Sequence, residues 1–160
     1  MRTISLAAAT GVTGLMAGLF FAYSCSVMPG LAAVDDRTFV GTMQSINRRI
    51  LNGWFLAAFL GAVLLIALAV ALHLTAGGRV LAWMVAALVL YGATLLITMR
   101  CNVPLNDRLD AAGPVDRIAD LAAVRERFEA TWVRWNLVRT VTSVAAFACL
   151  VAALVSRRAA

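Results

Sequence analysis

The sequence predicts an all-α integral membrane protein: an antiparallel four-helix bundle with a small, partly helical cap on one face. Three observations lead there. Of the 160 residues, 62% are hydrophobic, and the mean hydropathy is +0.88, too apolar for an ordinary soluble domain. Four apolar runs, at residues 4–28, 50–74, 80–101 and 136–155, each reach the ~20 residues that a helix needs to cross a bilayer. The polar residues gather between the runs in two segments, 30–49 and 106–135, which supply the cap. Residues 1–160 therefore read as one transmembrane domain, expected in the cytoplasmic membrane of a bacterium.

The formal charge is +6, and all 14 basic residues are arginine. No basic patch interleaved with aromatics accompanies that charge, and the arginines sit at the ends of apolar runs. Interfacial anchoring among membrane lipid is the expected use of the charge, and nucleic acid is not an expected partner. The three cysteines, Cys25, Cys101 and Cys149, lack metal-ligand spacing, and His73 is the lone histidine. No zinc, haem or di-iron centre is assembled from that set, so the metal and cofactor expectation is none. Cys25 and Cys101 fall near the same membrane face. A disulfide is one reading there, and two unrelated small residues is the favoured one.

The first run continues past the small-x-small site Ala22-Tyr23-Ser24 to Met28, longer than the apolar core of a signal peptide, and reads as a retained membrane helix. Gly11, Gly14, Gly18 and Ala22 recur at helical spacing and give it a small-residue face suited to close packing. Pro29-Gly30 is expected to end it. Asp35-Asp36-Arg37-Thr38 then opens an amphipathic helix with Phe39, Met43, Ile46 and Ile50 on one side. Gln44 and Asn47 flank that stripe. Inward-facing amides and a wet polar face are equally open for them.

Asn52 and Trp54 mark the interfacial entry of the second run, in which Gly53, Ala57 and Gly61 form another small face. His73 near its exit reads as interfacial or capped, with catalysis the minor alternative. The turn at Thr75 to Gly78 returns the chain, so the third helix runs back beside the second. Tyr91, near the middle of the third run, needs a partner for its hydroxyl, often a neighbouring backbone carbonyl. Structural packing is the default for it, and lining a cavity the minority reading.

The third run ends in Asn102-Val103-Pro104-Leu105-Asn106. Pro104 disfavours helical geometry at Val103, so a stop near Asn102 is expected, with Asn106 capping the next helix. From Val115 the helical pattern resumes. Ile118, Leu121, Arg125, Phe128, Trp132, Trp135 and Arg139 step by three and four along one face. Arg125 has Glu129 one turn on, a sufficient explanation for its charge. Arg139 has no such acid and lies about one turn inside the last run. A charge at the bilayer centre costs roughly 2.5–3.5 kcal/mol on insertion scales. A partnered, inward-facing guanidinium is the favoured reading, and snorkelling to the interface is the alternative.

An up-down-up-down order puts both termini and the Gly77-Gly78 turn on one face and the two polar segments on the other. Asn47, Asn52, Arg100, Asn102, Asn106, Asn136 and Arg139 then meet at one end of the bundle. Orientation stays open. A raw arginine count places the polar segments in the cytoplasm, whereas Arg2 before the first run and Asp35-Asp36 after it favour cytoplasmic termini.

Phe20-Phe21-Ala22, Val27-Met28-Pro29-Gly30-Leu31 and Met43-Gln44-Ser45-Ile46-Asn47 resemble the opening of the anthrone oxygenase-like family of small integral membrane proteins. Asn102-Val103-Pro104-Leu105-Asn106 and Trp132-Val133-Arg134-Trp135-Asn136-Leu137-Val138-Arg139-Thr140 resemble its two later signatures. The resemblance implies oxidation of an anthrone-like, flat, apolar substrate by O2 without metal or flavin. Arg139, Asn136, Asn102 and Asn106 would then hold the developing anion, with Glu129 the best-placed base if burial raises its pKa. Trp132, Trp135, Arg100, Asn47 and Tyr91 complete the expected substrate contacts. The rival class is a non-catalytic membrane protein that binds a lipid or apolar ligand, or serves as an assembly partner. Its asparagines would then bond across the bundle, and Arg100 and Arg139 would hold lipid phosphate. Transport is weakened by the presence of only four spans with no carboxylate inside any of them.

Overall fold

A computed structural model of the chain describes residues 1–75 and 78–158, and these are helical almost throughout, with no strand among them. The helices are α1 (Arg2–Ala22), α2 (Met28–Ala32), α3 (Asp36–Ile50), α4 (Gly53–His73), α5 (Gly78–Ile97), α6 (Val103–Ala111) and α7 (Leu121–Arg158). Two π-helical turns, Tyr23–Val27 and Thr98–Asn102, join α1 to α2 and α5 to α6, and a 3₁₀ turn covers Val115–Arg117. Four continuous helical stretches are long and apolar enough to cross a membrane: Arg2–Ala32, Gly53–His73, Gly78–Ala111 and Leu121–Arg157. Even the shortest, with 21 residues, extends about 31 Å at 1.5 Å per residue, the thickness of the hydrocarbon layer. The turn expected around Gly77 lies outside the described residues. Gly78 itself has φ +68°, a backbone region open to glycine without a Cβ penalty.

The prolines do not stop their helices. A proline ring clashes with the carbonyl four residues back, here Cys25 for Pro29 and Arg100 for Pro104. Each clash is met by one wide π turn immediately upstream, where the amide of Met28 bonds the carbonyl of Tyr23 and the amide of Val103 bonds that of Thr98. The helix therefore continues instead of ending. Asn106 consequently lies within α6 and caps nothing. The expected stops at Asn102 and at Pro29-Gly30 are corrected on this point.

α1 packs against α4 and α7, and α5 packs against the same two helices. Their shared core includes Leu6, Met16, Phe20, Phe59, Ile66, Met84, Tyr91, Ala146 and Leu150. The small-residue faces mostly do not mediate that packing. A Cβ on Gly11, Gly18, Gly53 or Gly61 would meet nothing within 4 Å, whereas one on Gly14 would fall 2.9 Å from the Phe147 ring. Spacing alone cannot tell a face turned to a neighbouring helix from one turned to lipid.

A second core joins the polar segments: Met28, Phe39, Val40, Met43, Leu105, Leu109, Phe128 and Trp132. Gln44 is buried and donates to the carbonyls of Leu109 and Gly113, at 2.9 and 3.0 Å, so its amide faces inward and ties α3 to the end of α6. Asp35 accepts from the Thr38 amide at 3.0 Å and caps α3, and Asn52 caps α4 through the Phe55 amide at 3.1 Å. Arg125 bonds Glu129 at 2.6 Å and Asp36 at 3.0 Å, and it donates to the carbonyls of Leu31, Ala32 and Val34. The guanidinium fixes the link before α3 against α7. Cys25, Cys101 and Cys149 are free thiols.

Candidate functional site

Arg139 defines the site. Its side chain is 6% exposed and has no acidic partner among the described residues. A buried guanidinium without a counter-charge carries an effective desolvation penalty of several kcal/mol. Aromatic faces offset part of it: the Arg139 Cζ lies 4.6 Å from the centroid of Phe20 and 5.3 Å from that of Trp132. Such contacts reach about 2 kcal/mol when desolvated. One of its Nη atoms donates to Asn136 Oδ1 at 2.8 Å, and its Nε has no partner.

Asn136 is fully committed. Its Nδ2 donates to the Phe20 carbonyl at 3.1 Å and to Ser24 Oγ at 2.8 Å. Ser24 Oγ also lies 3.0 Å from Thr140 Oγ1, which donates back to the Asn136 carbonyl at 2.9 Å. With both amide hydrogens spent on α1 and its π turn, the Asn136 oxygen is left to face Arg139. Asn136 therefore aims the guanidinium and has no hydrogen left to donate to a substrate. Trp132 is aimed in the same way, its Nε1 donating to Asn106 Oδ1 at 2.9 Å. That bond leaves the Asn106 nitrogen as the atom free to donate elsewhere.

A pocket of about 80 Å3 is lined by Arg139, Asn136, Trp132, Asn106, Asn47, Tyr23 and Phe20, with Leu19, Ile46, Ile50, Leu51, Phe55, Thr98 and Val103. At ~10–15 Å3 per water position it holds a few waters or the edge of a flat ring. Leu51, 66% exposed, marks its mouth. The Asn47 Nδ2 and both amide atoms of the fully buried Asn102 also lack partners. Buried polar atoms are nearly always satisfied; of these orphans the Arg139 Nε and Asn47 Nδ2 belong to pocket-lining residues, where water or a ligand acceptor would satisfy them, whereas Asn102 does not line the pocket. No carboxylate lines the pocket, and the free polar hydrogens there belong to Arg139, Asn47, Asn106 and Tyr23. The arrangement suits a ligand that presents an oxygen acceptor or an oxyanion.

The structure thus brings Arg139, Asn136, Asn106, Asn47 and Trp132 to one pocket, with Asn102 buried in the turn below α6. Other expected site residues lie elsewhere. Glu129 is bound to Arg125 and does not reach the pocket. Trp135 is 37% exposed and forms a shallow surface groove with Arg134 and Val138. Arg100 is exposed, because Asn102 takes the inward position of its turn. Tyr91 is fully buried and donates to the Phe59 carbonyl at 3.1 Å, the packing role rather than the cavity. His73 is buried at the opposite end, with Nδ1 2.7 Å from the Ala69 carbonyl and Nε2 3.3 Å from Arg157. Tyr23, Phe20 and Ser24 are the site residues that the sequence reading missed. The available signal was helical spacing: Tyr23 and Ser24 follow Phe20 by three and four residues, and the Tyr23 amide still bonds the Leu19 carbonyl, so the three share one face.

These features define an all-helical protein with four membrane-length helices and a buried, donor-rich pocket around one unpaired guanidinium. The chain belongs to the anthrone oxygenase family, whose profile matches residues 49–149. That match takes in Asn102, Asn106, Trp132, Asn136 and Arg139, while Phe20, Tyr23 and Asn47 precede it. No curated protein and no solved structure matches the chain.

Proposed function

We propose that this protein is a membrane-embedded oxygenase that oxidises a flat, apolar aromatic ketone of the anthrone type with O2. The reading rests on one observation, the buried Arg139 guanidinium without a counter-ion, held between Phe20 and Trp132 and aimed by Asn136. Loss of a proton from a carbon conjugated to a carbonyl makes an enolate, and a fixed cation in a water-poor pocket stabilises that anion more than the neutral ketone. Arg139 is the principal anion-holding group, Asn47 and Asn106 add amide donors, and Trp132 and Phe20 flank the ring. The pocket is below the roughly 300–1,000 Å3 usual for drug-sized ligands. A three-ring substrate would seat its carbonyl edge at Arg139 and leave its far ring in the mouth at Leu51.

The same reading includes an antiparallel bundle in the bacterial cytoplasmic membrane, with residues 30–49 and 106–135 as the cap over the pocket. Lipid is its surroundings, and the exposed apolar side chains Leu15, Leu64, Val89 and Val141 suit that setting. A membrane site also receives a greasy substrate and dissolved O2 directly from the bilayer.

The test is oxygen uptake by the purified protein with anthrone. Arg139→Ala should lower the rate on the order of 10²–10³, the loss typical for one oxyanion donor. The pocket's lack of a carboxylate favours a second reading, a non-catalytic binder of apolar ligands. That reading expects no oxygen uptake, but thermal stabilisation by the same compounds that Arg139→Ala abolishes.

A further inference from the structure

Enolate formation needs a group that moves protons, and the expected candidate, Glu129, is committed elsewhere. Among the side chains lining the pocket, only Tyr23 and Arg139 titrate. Tyr23 lies in the π turn after α1, half-buried, with its ring centroid 5.8 Å from that of Trp132. Arg139 contacts the same indole, so phenol and guanidinium share one aromatic wall. The Tyr91 hydroxyl is spent on a backbone carbonyl. The Tyr23 hydroxyl makes no hydrogen bond to any described residue and is the pocket's uncommitted O–H. Helical spacing puts it there: Tyr23 follows Phe20 by three residues and its amide still bonds the Leu19 carbonyl four back, so both share one face.

On the oxygenase reading above, we infer that Tyr23 is the proton-transfer residue, its phenolic oxygen relaying both methylene protons of the substrate to the oxygen that leaves as water. The steps balance. The Tyr23 phenolate takes one proton from the carbon, and the carbanion adds to O2 to give a peroxide anion. The Tyr23 hydroxyl returns the proton to the terminal oxygen. The phenolate then removes the second carbon proton as the O–O bond breaks, leaving a ketone and hydroxide. Hydroxide takes the proton from Tyr23, so CH2 and O2 become C=O and H2O, and the phenolate is restored. Carbon is oxidised, O2 is reduced, and Arg139 faces the negative charge at each stage.

The experiment follows loss of the methylene proton of anthrone to D2O without oxygen, and then oxygen uptake, for the full chain in lipid nanodiscs. Wild type should accelerate both, and Tyr23→Phe should lose both by on the order of 10²–10⁴ while still binding anthrone by tryptophan quenching. Exchange by Tyr23→Phe within about threefold of wild type overturns the assignment, since general acid–base groups contribute far more; continued oxygen uptake by that variant would leave the oxygenase reading intact. Wild-type exchange without oxygen uptake supports the proton role and removes the oxygenase. A wild type that does not accelerate exchange refutes Tyr23. If Tyr23→Phe does not fold, fluorotyrosine decides, because the chain has only two tyrosines. In a Tyr91→Phe background, fluorination acidifies residue 23 alone and should shift the rising limb of the pH–rate profile to lower pH. A limb that stays in place overturns the proposal.

Discussion

Replacing Asn136 by aspartate gives the sharpest test of the site's electrostatics. The substitution is nearly isosteric and sets a carboxylate oxygen where Asn136 Oδ1 now accepts from Arg139 at 2.8 Å. At an effective dielectric of 20, the new ion pair gains about 6 kcal/mol of gross Coulomb energy at that distance. Desolvating the carboxylate costs several kcal/mol and cancels most of that gain. The Nδ2 donations to Phe20 and Ser24 are lost, at about 1 kcal/mol each. Net stability should therefore stay within about 2 kcal/mol of wild type. Asn136→Ala instead removes all three bonds and leaves the Arg139 nitrogen unpaired, costing about 3–4 kcal/mol with a charged bond among them. Membrane cycles averaging ~0.6 kcal/mol per bond would bring that nearer 2. Function should rank the other way. The aspartate neutralises a buried cation that has no acidic partner among the described residues, so substrate-dependent oxygen uptake should fall at least as far as in Asn136→Ala. Thermal unfolding in detergent and oxygen-electrode rates on the same preparations give both rankings. An Asn136→Asp protein as active as wild type would refute the view that Arg139 must remain unpaired to hold an anion.

Four further outcomes follow from the geometry. Tyr91→Phe loses one hydrogen bond to the Phe59 carbonyl, and should cost about 1 kcal/mol in thermal stability or less with turnover unchanged. Glu129→Gln should likewise leave turnover unchanged while loosening the link before α3, read as faster hydrogen exchange at Val34 and Asp36; a turnover loss matching Arg139→Ala would restore Glu129 to the site. Gly14→Ala pushes a methyl into the Phe147 ring and should lower the melting temperature, whereas Gly18→Ala, facing open space, should not. The Asp35 carboxyl is held below its ordinary value of 3.8, first by its side-chain bond to Thr38 and then by the Thr38 amide. A depressed folded-state pKa contributes stability above the unfolded value that is lost as pH falls through the folded one. Exchange protection of the Thr38 amide should therefore disappear on that acid limb, and Asp35→Asn should make it pH-independent there.

Much of the architecture was written locally in the sequence. Four runs of apolar residues long enough to cross a bilayer fix four membrane-length helices whatever their neighbours do, because backbone polar groups in an apolar setting must bond within the helix. The Arg125–Glu129 pair was legible from i,i+4 spacing, and shared depth brought Asn106 and Asn136 to the pocket of Arg139 while Asn52, Arg100 and Asn102 stay outside its lining. The inward turn of Gln44 and Asn47 was not legible. An amphipathic stripe shows where its apolar centre points, and residues at its edge depend on what packs there, here the carbonyls of Leu109 and Gly113. Trp132 and Trp135 looked equivalent by the three-and-four rule, yet they sit about 60° apart around a helix at 100° per residue, with Arg139 nearly in line with Trp132. That difference decides which indole meets the guanidinium. Tyr23, Phe20 and Ser24 entered the site only through tertiary structure. The three share one helical face by their three- and four-residue spacing, and the packing of α1 on α7 turns that face toward Asn136. The sequence by itself determined which helices exist and the level at which the polar groups meet. The three-dimensional packing decided which of those groups stay unpaired, because a hydrogen-bond partner is a matter of position across helices that no local pattern records.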